Sequence, residues 1–124
     1  MNGNPRIIEL LDFRKYSGTT SFYTNAEFNA MLGQAERLVI HAVVTESSGT
    51  SPTVTVVLED SSDNENFDDV VTLINGVSLS STPLTERAAT TSSQVYGRFV
   101  RLKVTLGGTS PTATMTIRAS LKSA

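Results

Sequence analysis

The chain has 124 residues, 39% of them hydrophobic, a formal net charge of -2, one histidine and no cysteine or tryptophan. That length suits a single domain and excludes a disulfide scaffold, a cysteine-based zinc site and an imidazole-rich metal centre. No apolar run approaches the ~20 residues of a membrane-spanning helix, and a slightly acidic chain is a poor match for a phosphate backbone, so neither membrane nor nucleic acid is an expected partner.

Residues 1–5, Met1 to Pro5, are polar and read as a flexible arm ahead of one β-sandwich domain over 6–124. The apolar stretch that follows is broken by Glu9 and Asp12. It is therefore not the uninterrupted core of a secretory signal, and a cytoplasmic origin is expected. Residues 6–14 read as a first strand with apolar side chains on both faces, Ile7, Leu11 and Phe13 on one and Ile8 and Leu10 on the other. A free edge would carry fewer, so this segment is either a partner-binding strand or an ordinary inner strand. Thr20 to Thr24 is a weaker strand, and Asn25 and Gly33 bracket a short helical turn near residues 26–32.

From Leu38 onward the dominant period is two, the mark of half-buried strands. Leu38, Ile40, Ala42 and Val44 alternate with Val39, His41, Val43 and Thr45, and apolar residues on both faces mark this strand as central or covered on both sides. Val54, Val56 and Leu58 continue the alternation, as do Val100, Leu102, Val104 and Leu106. Ala113, Met115, Ile117, Ala119 and Leu121 form the clearest apolar face, opposite Thr112, Thr114, Thr116, Arg118, Ser120 and Lys122. Residues 68–74 and 86–95 read as shorter strands, with a loop from Ser78 to Pro83. The expected fold is therefore all-β, an antiparallel jelly-roll-like sandwich of about eight strands.

Ser and Thr make up 32 of the 124 residues. Ser/Thr-rich tracts are often disordered, but here Thr alternates with Val, Ile and Leu, as it does on the outer face of a sheet. The chain also repeats itself. Gly49-Thr50-Ser51-Pro52-Thr53 recurs as Gly108-Thr109-Ser110-Pro111-Thr112, and 7 of 13 positions match between 49–61 and 108–120. Each copy follows a strand, so the pattern reads as one hairpin written twice. The two copies are either equivalent places in two sheets or convergent turn chemistry.

Chemistry is sparse. His41 is flanked by Ile40 and Ala42 and reads as structural; no Gly-x-Ser-x-Gly elbow and no phosphate-cradling loop is present. Neither catalytic residues nor a cofactor is expected, and an enzyme is the least favoured class. Six carboxylates fall between Glu59 and Asp69. They read as a solvated β-turn with Phe67 folded back; the alternatives are a cation site built from Asp60, Asp63, Glu65 and Asp68, or paired catalytic acids. Arg101, Lys103, Arg118 and Lys122 share the polar face of the last predicted hairpin. This basic stripe suggests head-to-tail association, the acidic loop of one copy against the stripe of the next.

The order Glu36-Arg37-Leu38-Val39-Ile40, Ser48-Gly49-Thr50-Ser51-Pro52, Glu59 to Phe67, Gly97-Arg98-Phe99-Val100-Arg101-Leu102-Lys103-Val104 and Gly108-Thr109-Ser110-Pro111 resembles small jelly-roll head decoration (cement) proteins of tailed bacteriophages. The resemblance spans most of residues 36–121 and rests on turns and strands. It implies a non-enzymatic virion protein, made in the host cytoplasm, that binds the outside of the assembled head. Its implied partners are the major capsid protein and itself, as a homotrimer. The expected partner-binding residues are Ile7, Ile8, Leu10, Leu11, Phe13, Arg101, Lys103 and Arg118. Ser61-Ser62-Asp63-Asn64-Glu65-Asn66-Phe67 is also similar to the Ser-x-Asp-Gly-x-x-Trp turn of discoidin-like and carbohydrate-binding sandwiches, with Asn64 for Gly and Phe67 for Trp. The alternative role is thus a tail or baseplate module binding carbohydrate, through Tyr16, Phe22, Tyr23 and Tyr96, or binding a partner with calcium.

Overall fold

Two strands of exceptional length organise the molecule, and each runs through both layers of a sandwich. In the computed structural model, which describes residues 6–91, 93–94 and 96–122, these are β3 (Arg37–Ser61) and β6 (Phe99–Lys122). Around them lie β1 (Arg6–Ser17), β2 (Phe22–Tyr23), a 3-10 turn (Ala26–Phe28), the helical turn α1 (Asn29–Gly33), β4 (Asp68–Ser78) and β5 (Leu84–Ala89). The arm expected over residues 1–5 lies outside the described residues.

β3 and β6 pair antiparallel along their whole lengths, from Arg37 opposite Lys122 to Ser61 opposite Phe99. The ribbon they form is folded over at its middle. Residues 37–48 and 112–122 belong to one sheet, where β1 pairs with β6 and β5 with β3. Residues 53–61 and 99–107 belong to the other, where β2 pairs with β6 and β4 with β3. The two four-stranded layers are therefore β1–β6–β3–β5 and β2–β6–β3–β4, the double-sheet arrangement of a jelly roll. Counting each half of the ribbon separately gives the eight strands expected from the sequence.

The alternation of side chains makes this work. Leu38, Ile40, Ala42 and Val44 point into the same core as Val54, Val56 and Leu58, and as Val100 to Leu106 and Ala113 to Ala119 at every second residue. Val44 and Val54 are an even number of residues apart but Leu106 and Ala113 an odd number, and the register irregularities at the bend let the apolar face stay inside on both sides of it. A shift of one residue would turn each set out to water.

The fold line is the repeated Gly-Thr-Ser-Pro, which does not build two hairpins. Thr50 lies opposite Thr109, so each copy is the other's partner, and the chain passes straight through both into the next sheet. Gly49 and Gly108 have φ of 111° and 100°, and Ser51 and Ser110 have φ of 50° and 48°. A Cβ on Gly108 would stand 2.6 Å from the carbonyl oxygens of Thr50 and Ser51, and one on Gly49 would stand 2.8 Å from those of Thr109 and Ser110. Only glycine permits both the backbone conformation and this approach. Pro52 and Pro111 follow, and each carbonyl accepts a bond from a neighbouring segment, from Leu79 N–H at 2.8 Å and Gly18 N–H at 3.0 Å. The two copies thus hold equivalent places, related by an approximate two-fold through the bend.

The lesser elements close the ends. β1 is 12 residues long with two register irregularities, and β2 is reduced to two residues. β4 runs on to Ser78, and β5 covers Leu84–Ala89 rather than 86–95. The helical turn forms where expected, although Asn25 makes no side-chain capping bond. No helix among the described residues is long and apolar enough to cross a membrane.

Candidate functional site

The first strand divides its apolar side chains between inside and outside. Leu10 and Leu11 are in the core, at 0% and 3% exposure, and Ile8 packs against it. Ile7 and Phe13 face solvent, at 71% and 53%. The bulges of β1 produce this split by turning the strand between Glu9 and Arg14. Of the five apolar candidates on this strand, Ile7 and Phe13 are therefore the two on the surface.

Ile7 borders a groove on the outer face of the β1–β6–β3–β5 sheet. Its volume is about 420 Å³, and Ile7, His41, Val43, Thr85, Arg118 and Ser120 line it. Register explains the assembly of these residues. His41 stands opposite Arg118 on one side and Arg87 on the other, Val43 opposite Thr85, and Ile7 opposite Ser120. Further along the same face Arg37 lies opposite Lys122. Arg37, Arg87, Arg118 and Lys122 are all exposed, as is Glu9 beside Arg118. The face is therefore basic at its rim and apolar along one wall. Of the groove's lining, Arg118 and Ile7 belong to the expected set; His41, Val43, Thr85 and Ser120 do not. The apolar outer face of residues 39–43 is the sequence signal for His41 and Val43, whereas Thr85 and Ser120 reach the groove only through strand pairing.

The expected basic stripe is divided by the fold. Arg118 and Lys122 are on one sheet, whereas Arg101 and Lys103 are on the other, beyond the bend. There the acidic strand lies beside them in the same chain. Glu59, 5% exposed, takes Arg101 Nε at 2.8 Å and Lys103 Nζ at 3.4 Å, and Lys103 also reaches Asp69 at 3.2 Å. The hydrogen bond to Asp69 raises the Lys103 pKa above its usual value. The Arg101 guanidinium lies 4.0 Å from the ring centres of both Tyr23 and Phe67. Arg101 and Lys103 thus hold β6 to β3, β2 and the acidic turn, rather than waiting for a second copy.

The acidic turn is built around Asp63. Its Oδ1 accepts the N–H groups of Glu65 and Asn66, both at 2.9 Å, and the Ser61 hydroxyl at 2.8 Å, while Oδ2 accepts the Asn66 side-chain amide at 2.8 Å. These bonds hold its carboxyl far below the ordinary carboxylate range. Asp60 is turned elsewhere and accepts Gly97 N–H. Among the described residues no three His, Asp or Glu side chains converge as a metal-binding group. Asn64, at φ 62°, accepts a bond from the amide of buried Asn29 at 2.9 Å, which ties the turn to α1.

The aromatic side chains are mostly engaged as well. Tyr16 is 6% exposed and stacks on Phe22 with ring centres 4.3 Å apart, and the Tyr96 hydroxyl donates to the Ala35 carbonyl. Burial, together with the charge of Glu36, raises the Tyr96 pKa. Of the four aromatic residues considered for sugar stacking, Tyr23 is the exposed one, and Arg101 lies over its ring.

No protein-family model matches the chain, and no curated protein does. Solved structures do resemble it. The VP2 subviral particle of infectious bursal disease virus matches 95% of this chain with a TM-score of 0.57 at 12% identity. The chain spans about a third of that protein's length, 33%. A Bacillus endospore appendage, described as a novel family of disulfide-linked pili, matches 100% of this chain and 95% of its own, with a TM-score of 0.50 at 14% identity. At these identities the likeness is one of fold. The chain shares its β-sandwich with subunits of a viral capsid and of a pilus.

Proposed function

We propose that the chain is a structural virion protein, a decoration (cement) protein that binds the outer surface of a phage head and stabilises it as a trimer. It takes the major capsid protein and further copies of itself as partners, and it is not an enzyme. One observation carries this reading: an edge strand, β1, presents Ile7 and Phe13 to solvent from a sandwich whose other large apolar side chains among the described residues, Tyr23 apart, are not exposed. Exposed apolar groups on an edge are a liability unless a partner covers them. The resemblance of the Gly-Thr-Ser-Pro and Arg-Phe-Val-Arg segments to phage cement proteins supports the partner being a capsid, as does the shared fold with a capsid subunit. Weak contacts repeated around a shell would add by multivalency.

The test is co-sedimentation with purified, expanded phage heads. The wild-type chain is expected to pellet with heads and to raise their disruption temperature. Phe13→Ser, which removes an exposed ring, is expected to leave the fold intact and to weaken binding roughly tenfold or more. A chain that leaves expanded heads bare at saturating concentration overturns the reading.

A further inference from the structure

We infer that copies of this chain associate head-to-tail, the acidic turn of one docking on the basic groove face of the next. The inference rests on the self-associating part of the function proposed above and names the two surfaces involved.

The groove face carries Arg37, Arg87, Arg118 and Lys122 around His41, against Glu9. Two such faces brought together about a two-fold axis would set arginine against arginine, so an isologous dimer through this face is disfavoured. A second copy must offer a different surface of opposite sign. The turn after β3 is that surface: Asp63, Glu65 and Asp68 are all exposed. The turn lies at the end of the β2–β6–β3–β4 sheet, whereas the groove is on the outer face of the other sheet. One molecule can therefore give its turn to one neighbour while receiving a turn from another, and a closed ring satisfies every copy.

The internal pairing removes the rival basic surface. Arg101 and Lys103 are held by Glu59 and Asp69 within the chain, so the basic residues of the groove face remain for an outside carboxylate. The turn is also set before docking. Asp63 ties its backbone, and Phe67 stacks against Arg101, so little conformational freedom is lost on binding. In the groove, Glu65 and Asp68 would meet Arg87 and Arg118, with the wall of Ile7 and Val43 excluding water from the pairs.

A charge swap tests this. The chain with Arg87→Glu and Arg118→Glu has two acidic surfaces; the chain with Glu65→Lys and Asp68→Lys has two basic ones. All four side chains are exposed, and thermal melts of both variants verify that they fold. Sedimentation velocity at low and high salt is the readout. The wild type is expected to form an oligomer that dissociates as salt rises. Each variant alone is expected to lose roughly tenfold or more in association, and a mixture of the two to regain it through unlike pairs. A monomeric wild type at low salt, an oligomer indifferent to salt, or oligomers persisting in either variant would overturn the inference. Head co-sedimentation separates this from the function proposed above. A monomer that binds heads sinks the inference and the trimeric part of that function, and leaves the capsid-binding part standing. A salt-sensitive oligomer that ignores heads sinks the capsid reading alone.

Discussion

At the scale of single residues, two polar side chains, Asp63 and Arg101, fix local conformation. Asp63 holds a turn through backbone and side-chain bonds, and its carboxyl is more acidic in the folded chain than in an unfolded one. A depressed folded pKa means stability that is present above the unfolded value, near ~3.9, and lost as pH falls toward the folded one. Asp63→Asn is therefore expected to be less stable than wild type at neutral pH, with the gap narrowing in acid; urea melts at pH 7 and pH 3 measure it. Arg101 is the second such residue. Arg101→Ala would leave buried Glu59 with the longer Lys103 contact alone and strip the faces of Tyr23 and Phe67. Because the guanidinium is about a quarter exposed, the cost should fall below that of a fully buried pair, at about 2–3 kcal/mol. Arg101→Lys should recover little of it, since the planar stack needs a guanidinium. The turn itself was legible in the sequence, Phe67 folding back included. Its partner was not, because Arg101 is 34 positions beyond Phe67 and only strand register brings them together.

At the scale of elements, the alternation of Val, Ile and Leu with Thr made nearly every strand readable, because a one-residue slip would expose the whole apolar set. The bend was not readable as a bend. Gly-Thr-Ser-Pro carries every local sign of a reversal: a glycine, small hydroxyl residues and a proline before the next strand. What local signs omit is that two copies face each other, so each closes the other's backbone rather than its own. The same omission placed Arg118 beside Arg101 on one stripe, when the bend sends them to different sheets. The reciprocal glycines also set a prediction. Gly108→Ala and Gly49→Ala each force a side chain into φ near 100° and against an opposing carbonyl, and each should cost about 2–4 kcal/mol, read from chemical denaturation. Alanine at Gly18, at φ 90° but with no atom within 4 Å of an added Cβ, carries the backbone strain without the clash and should cost less.

At the scale of the whole molecule, the folded ribbon makes one core out of two sheets. Leu38 and Met115 from one half of the ribbon, and Leu58 and Leu102 from the other, are all fully buried in it. The fold class and the strand count followed from composition and period. The groove face did not. Its residues come from four strands scattered between Ile7 and Ser120, and they share a surface only after pairing. The proposed capsid and self-association roles belong to this scale. They depend on which side of the sandwich each charged or apolar group reaches, and that is decided by the bend more than by any motif.

The pairing of β1 with β6 leaves the two ends of the described chain side by side, with Arg6 opposite Leu121. Such a fold can be spliced. A host polypeptide could leave at one strand end and resume at the adjacent one without stretching, and the added cost of closure would be small. The same sandwich can then exist as a free unit or as a cassette within a longer protein. The capsid protein that shares this fold does so over 33% of its own length.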